Sequence, residues 1–115
     1  MWYDLDVLPS GGEKAALDDL CAWVRQRFGA RVSALALFGS RARGAGTEDS
    51  DLDVLVVVDG LTGAEAREIA ARAGDVLTRH DVLLSPLALS RERYERLRAH
   101  ERRLAREIER DGIPL

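Results

Sequence analysis

Two aspartates at the entry of a long apolar stretch constrain this chain more than any other feature. Asp51 and Asp53 are separated by one leucine and lead directly into the run at residues 54–58. Alternate side chains of a strand lie on the same face, so both carboxylates would point the same way. Two carboxylates this close repel each other unless a proton or a cation intervenes. Since oxygen ligands favour a hard cation, the pattern predicts a Mg²⁺ site at the start of a buried strand.

A Gly-Ser step precedes the aspartates and closes another apolar run, at residues 32–38. Gly39 allows a sharp turn and a close approach of the backbone to a ligand. Ser40 can cap a short helical turn whose free N–H groups suit a phosphate. Arg41 and Arg43 would add cationic donors. A phosphate cradle beside a paired-carboxylate cation site indicates nucleoside triphosphate chemistry.

The two motifs together resemble the minimal nucleotidyltransferases of the DNA polymerase β-like superfamily. Gly39-Ser40 and Asp51-x-Asp53 are separated by ten residues, and each follows or opens an apolar strand candidate. The resemblance covers residues 15 to 112 and includes the final motif at residues 108–112. An ordinary strand-end turn or an Asp-rich turn explains either half alone, but not both at this spacing.

The resemblance also implies a division of roles within the site. Asp51 and Asp53 would bridge two Mg²⁺ ions between the protein and the triphosphate of ATP. The expected phosphate-binding residues are Gly39 and Ser40 for the β- and γ-phosphates, and Arg41 or Arg43 for the leaving pyrophosphate.

A third carboxylate is implied on the strand after the second helix, and Asp81 is the acid available there. It would bind the ion nearer the attacking hydroxyl and help to deprotonate it. The family often carries this acid deeper in the strand, where this chain has Leu83 or Ser85. The alternative is that Asp81 is a turn acid, which would leave two carboxylates. The neighbouring His80 is more typical of a surface residue than of a general base.

Apolar periodicity predicts an α/β (α+β) domain, a small mixed sheet of three to four strands with helices packed on one face. The resemblance implies that this domain has the nucleotidyltransferase fold. Capping-box patterns begin two helices, at Ser10 with Glu13 and at Thr62 with Glu65. The other predicted elements are strands at residues 32–38, 51–58 and 81–89, a single last helix from 91 to about 110, and a non-helical end at 112–115.

Bulk composition limits the other classes of function. The 115 residues predict a single domain, 1–115, and the net charge of −3 disfavours a general nucleic-acid binder. Cys21 is the one cysteine, so no internal disulfide can form, and its apolar helical neighbours indicate a buried structural thiol. No apolar run approaches the ~20 residues of a membrane span and no leader is present, so we expect a cytoplasmic protein.

Function follows from the resemblance and from the small size. A chain this short has no room for an acceptor pocket of its own, and minimal members commonly act beside a HEPN-type helical toxin. They transfer AMP from ATP to a tyrosine of that toxin, so the first hypothesis is an antitoxin that works by protein adenylylation. The second is a non-catalytic binding module that neutralises its partner by complex formation. A small-molecule nucleotidyltransferase working as a dimer is a third.

The arginine-rich last helix has two interpretations of its own. Its arginines alternate with glutamates, which is typical of solvated i,i+4 pairs. The other interpretation is a docking surface for an acidic or phosphorylated partner.

Overall fold

The computed structural model describes residues 11–39 and 51–115. Helices and strands account for most of these residues, and the capping pattern at Ser10 lies outside them. In chain order the elements are α1 (Gly11–Phe28), a 3₁₀ turn (Gly29–Arg31), β1 (Val32–Phe38), β2 (Leu52–Val58), α2 (Gly63–His80), β3 (Leu84–Leu89), α3 (Arg91–His100), α4 (Arg102–Asp111) and β4 (Ile113–Pro114).

The strands form one mixed sheet in the order β3-β2-β1-β4. β1 pairs with β2 and with β4 in antiparallel fashion, whereas β2 and β3 are parallel. A parallel neighbour needs a crossover connection, and α2 supplies it. The predicted α/β class with a small mixed sheet is therefore confirmed, with four strands.

Helices cover both faces of this sheet, whereas the sequence predicted helices on one face. Alternate residues of β2 pack with α1 and α2, namely Leu52, Val54, Val56 and Val58. The intervening Leu55 and Val57 pack with residues of α3 and α4. Both sets are almost fully buried, so each face of the central strand needs its own cover.

The second helix begins as predicted and ends in a way that delays the third strand. The Thr62 hydroxyl accepts from the Glu65 backbone N–H, and the Glu65 carboxylate accepts from the Thr62 N–H. At the other end, Asp81 takes a left-handed conformation (φ 55°) and caps α2. Because this turn reverses the chain, β3 begins at Leu84 rather than at Asp81.

The predicted single last helix is wrong, because two helices meet at Glu101. The backbone of Glu101 leaves helical geometry there, with φ −116° and ψ 67°. Arg98 Nε lies 2.7 Å from Glu109 Oε1, although eleven residues of straight helix would place them about 16 Å apart. The turn folds α4 back beside α3, so Ala105 and Ile108 are buried. The non-helical end contributes a short edge strand, β4.

The first helix ends as predicted, and its thiol is buried. Gly29 follows α1 with φ +57°, a left-handed conformation that glycine adopts without strain. Cys21 is 5% exposed, and burial raises the pKa of its thiol to about 11. Within the described residues, no helix combines the length and the apolar character needed to cross a bilayer.

Candidate functional site

The two motifs meet where β1 ends and β2 begins. Gly39 has φ +81°, and a Cβ added there would fall inside van der Waals contact with Asp53 Oδ2 and 3.2 Å from Asp53 Cγ. Glycine is required here by conformation and by space, because the Asp53 carboxylate fills the place of a side chain. The antiparallel register explains the contact, since Phe38 is opposite Asp53. The structure thus brings Gly39 and Asp53 together.

Asp53 is half-buried in the middle of the sheet, between Phe38 of β1 and Ser85 of β3. Burial raises the pKa of its carboxyl, and the nearby charge of Asp51 raises it further. Among the described residues, no Lys, Arg or His side chain forms an ion pair with either carboxylate. Two carboxylates, one of them half-buried, lie close together at this end of β2, an arrangement that favours a cation.

Asp51 lies one residue before β2 and is exposed. Its Oδ2 accepts a hydrogen bond of 3.0 Å from the hydroxyl of Ser85. The Asp51 carboxylate is thereby tied to the next strand, on the face that Asp53 also uses. Ser85 belongs to the site by position. In the sequence it stood out only because the family often has an acid at that depth of the strand.

Asp81 lies apart from these side chains, in the turn between α2 and β3. Its backbone N–H donates to the Leu77 carbonyl at 2.9 Å, and its side chain is exposed. No group of three or more His, Cys, Asp or Glu side chains within residues 11–39 and 51–115 is arranged to hold a metal ion. A role for Asp81 as third ligand stays a prediction.

His80 is engaged elsewhere. Its Nε2 lies 3.0 Å from Asp19 Oδ2, and Arg72 donates to the other oxygen of the same carboxylate at 2.5 Å. The hydrogen bond from Arg72 is the main reason that the pKa of Asp19 is lowered, and His80 and Arg79 act in the same direction. This cluster joins α1 to the end of α2 and so anchors the helix that leads to the Asp81 turn.

The remaining predicted residues lie outside the described part of the chain. These are Ser40, Arg41 and Arg43, which the sequence assigns to phosphate binding. Their roles stay predictions.

The donor set that is described fits a hard divalent cation. Two carboxylates lie at one strand edge, and one of them occupies the space that glycine leaves beside the end of β1. All these donors are oxygens, as Mg²⁺ prefers. Asp51 and Asp53 are the residues that would hold such an ion.

The sequence model of the nucleotidyltransferase domain family matches residues 19–112. That range covers most of the chain and contains both motifs and the strands β1, β2 and β3. The chain belongs to the nucleotidyltransferase domain family.

One similar protein comes from Methanocaldococcus jannaschii and is named as a candidate protein adenylyltransferase. It is 38% identical over 47 residues, which are 41% of this chain and 47% of the relative. The match thus spans about half the length of that protein.

Two solved structures share the fold of this nucleotidyltransferase family member. A crystal structure of a toxin–antitoxin with AMP-PNP superposes with a TM-score of 0.55 and 18% identity, covering 84% of this chain and 70% of the other. A candidate nucleotidyltransferase from Sulfolobus solfataricus gives a TM-score of 0.52 at 18% identity, covering 95% and 85%. Similarity at this level of identity concerns the fold alone.

Proposed function

We propose that this chain is a Mg²⁺-dependent nucleotidyltransferase that moves AMP from ATP to a protein hydroxyl. The acceptor would be a tyrosine of a HEPN-type toxin, which would make the chain an antitoxin that acts by adenylylation. The observation that carries the proposal is the contact between Gly39 and Asp53, with Asp51 alongside. Family membership supports the reaction class, the name of the M. jannaschii relative supports a protein acceptor, and the toxin–antitoxin neighbour supports a toxin partner. The HEPN type of the partner and the tyrosine follow from the family resemblance alone.

In this reaction the acceptor oxygen attacks the α-phosphorus of ATP. A new P–O bond forms, the bond to the bridging oxygen breaks, and pyrophosphate leaves. Two Mg²⁺ ions, when bound, would neutralise the triphosphate and the charge on the leaving group. Asp51 and Asp53 would hold these ions at the strand edge, while Gly39 would let the backbone approach the phosphates. Catalysis of this kind depends on positioning and charge.

The role of Asp81 in this reaction depends on the shape of the turn after α2. If the turn after α2 reorients on partner binding, its carboxylate would become the third ligand and accept the proton of the attacking hydroxyl. If the turn keeps its shape, the proton passes to solvent. Asp81→Asn separates these versions, since the first predicts loss of transfer and the second predicts little change.

A second candidate function is a non-catalytic antitoxin that neutralises its partner by binding. It is favoured by the two-carboxylate site, because three acids do not meet among residues 11–39 and 51–115. This version predicts that the partner is neutralised equally well by the double variant of Asp51 and Asp53 to alanine.

A labelling experiment tests the first candidate. The full chain is mixed with α-³²P-ATP, Mg²⁺ and native host lysate, beside Asp53→Asn and the matched control Asp75→Asn. Asp75 is an exposed acid of α2, so its variant removes the same charge elsewhere. We expect one labelled protein with the unmodified chain and with Asp75→Asn, and no label with Asp53→Asn.

Mass spectrometry of the labelled protein would then locate the AMP on its acceptor residue. Undiminished labelling by Asp53→Asn would reject this mechanism. Absence of label with every variant, together with tight binding of a toxin encoded beside this chain, would favour the binding module.

A further inference from the structure

Ser85 of β3 lies beside the two carboxylates of the candidate site. In the parallel pairing of β2 with β3 it is the register partner of Asp53, and it is half-buried. Leu87 and Leu89, which continue the same alternation, pack on the face covered by α3 and α4. Ser85 and Asp53 therefore share that face, at the edge where the site opens.

Asp51 needs an external constraint because it precedes the regular strand. The first backbone bond at this end runs from the Leu52 N–H to the Leu83 carbonyl, at 3.1 Å. That bond holds the main chain after Asp51, but it leaves the exposed Asp51 side chain free to rotate. The hydroxyl of Ser85 restrains this side chain, since it donates to Asp51 Oδ2 at 3.0 Å.

A serine hydroxyl suits this task chemically. It has one hydrogen to donate, so it can hold one carboxylate oxygen and leave the other oxygen available to a cation. It adds no charge, so it does not increase the repulsion between Asp51 and Asp53. Groups that orient a ligating carboxylate in this way typically change metal affinity 10- to 100-fold when they are removed.

We propose that Ser85 is a positioning residue of the cation site. Its hydroxyl holds the Asp51 carboxylate beside Asp53, so that both carboxylates face one divalent cation. Ser85 acts through Asp51 and does not itself ligate the ion. The inference rests on the proposed function, because the cation belongs to that function.

Three substitutions isolate this role. Ser85→Ala removes the donor, while Ser85→Thr keeps a hydroxyl on a side chain suited to a strand. Ser33→Ala is the matched control, since the Ser33 hydroxyl also donates to an aspartate, Asp59, which directly follows β2, at 2.6 Å. Ser33 lies at the opposite end of β1 from Gly39, away from the site.

The readout is binding of Mn²⁺ to the full chain without nucleotide, followed by electron paramagnetic resonance of the free ion. We expect Ser85→Ala to weaken Mn²⁺ binding by about tenfold. Ser85→Thr and Ser33→Ala should bind as the unmodified chain does. In an Asp51→Asn background, Ser85→Ala should cause no further loss, because the carboxylate that it positions is already gone.

Asp53→Asn and the Asp51→Asn background distinguish the three ways in which this can fail. If Ser85→Ala binds Mn²⁺ normally while Asp53→Asn does not, the role of Ser85 is wrong and the cation site stands. If a loss in Ser85→Ala persists undiminished in the Asp51→Asn background, Ser85 does not act through Asp51. If Asp53→Asn binds as the unmodified chain does, the cation site fails and the inference fails with it.

Discussion

The face of the sheet under α1 and α2 and the face under α3 and α4 differ in how completely they are covered. On the first, the helix residues Leu17, Leu20 and Ile69 are fully buried. On the second, Tyr94 and Leu104 are only partly buried. Small strand residues there leave a groove of about 740 Å³, lined in part by Ala34, Ala36, Leu55, Tyr94 and Ile108.

The two faces contribute differently: the well-covered face contributes stability, and the less covered face carries the candidate site. Asp53 points to the thinly covered face, where burial and Asp51 raise the pKa of its carboxyl. The carboxylate of Glu65, at the start of α2, accepts hydrogen bonds from the two terminal guanidinium nitrogens of Arg31, at 2.8 and 2.9 Å. These bonds are the main reason that the pKa of Glu65 is lowered to about 2. An acid on the α2 side is thus paired with an arginine, whereas Asp53 forms no ion pair among the described residues.

The largest effect should come from truncating matched leucines on the two faces. Leu20→Ala removes a fully buried side chain of α1, so we expect a loss of about 3 kcal/mol in the free energy of unfolding. Leu104→Ala acts on a partly buried residue of α4 and should cost about 1 kcal/mol. Urea unfolding followed by circular dichroism measures both, and equal losses would contradict the comparison.

Alanine substitutions of two glycines should have effects of intermediate size, and they test the contact between Gly39 and Asp53. Gly39 and Gly60 both have positive φ, +81° and +66°, so alanine at either should cost about 1–2 kcal/mol in stability. A Cβ at Gly60 meets no atom within 4 Å, whereas a Cβ at Gly39 would displace the Asp53 carboxylate. We therefore expect Gly39→Ala alone to lose Mn²⁺ binding. Equal binding by both variants would show that the contact with Asp53 is not needed.

The smallest effect concerns acid stability on the α2 side. The pKa of Glu65 falls from its ordinary value of 4.5 to about 2 on folding, so its ionised form stabilises the protein above pH 4.5. That contribution disappears as the pH falls towards 2. Glu65→Gln should therefore be less stable than the unmodified chain at pH 7, and the difference should vanish near pH 2.

Unfolding by urea at a series of pH values measures this difference. Glu68→Gln is the matched control, because Glu68 is a more exposed acid of the same helix that pairs with Arg27. A difference between Glu65→Gln and the unmodified chain that stays constant from pH 7 to pH 2 would contradict the assignment.

Local patterns predicted much of the fold. The β1 bounds, the Thr62 capping box and the left-handed Gly29 follow from neighbouring residues, and the structure confirms each. The break at Glu101 was missed because Tyr94, Leu97, Leu104 and Ile108 keep helical spacing across it. The fold back of α4 depends on packing against α3 and the sheet, which no short stretch of sequence encodes.

For the candidate site, the sequence predicted the placement of some residues, whereas their roles stay predictions. Alternation put Asp51 and Asp53 on one face, and the structure links the first to Ser85 and the second to Gly39. The place of Ser85 depends on the register between β2 and β3, which are joined through a whole helix, so the sequence could not assign it. The left-handed turn at Asp81 agrees with the alternative that the sequence left open, a turn acid, and differs from the predicted strand start there.

Because Cys21 is buried, the reactivity of its thiol can report how often α1 separates from the sheet. A thiol that is 5% exposed and has a pKa of about 11 is present as a weakly nucleophilic thiol at neutral pH. A disulfide reagent can therefore react with this single cysteine only when α1 separates from the sheet. At reagent concentrations where the reaction rate no longer rises, that rate would give the opening frequency of the α1 side without an added label.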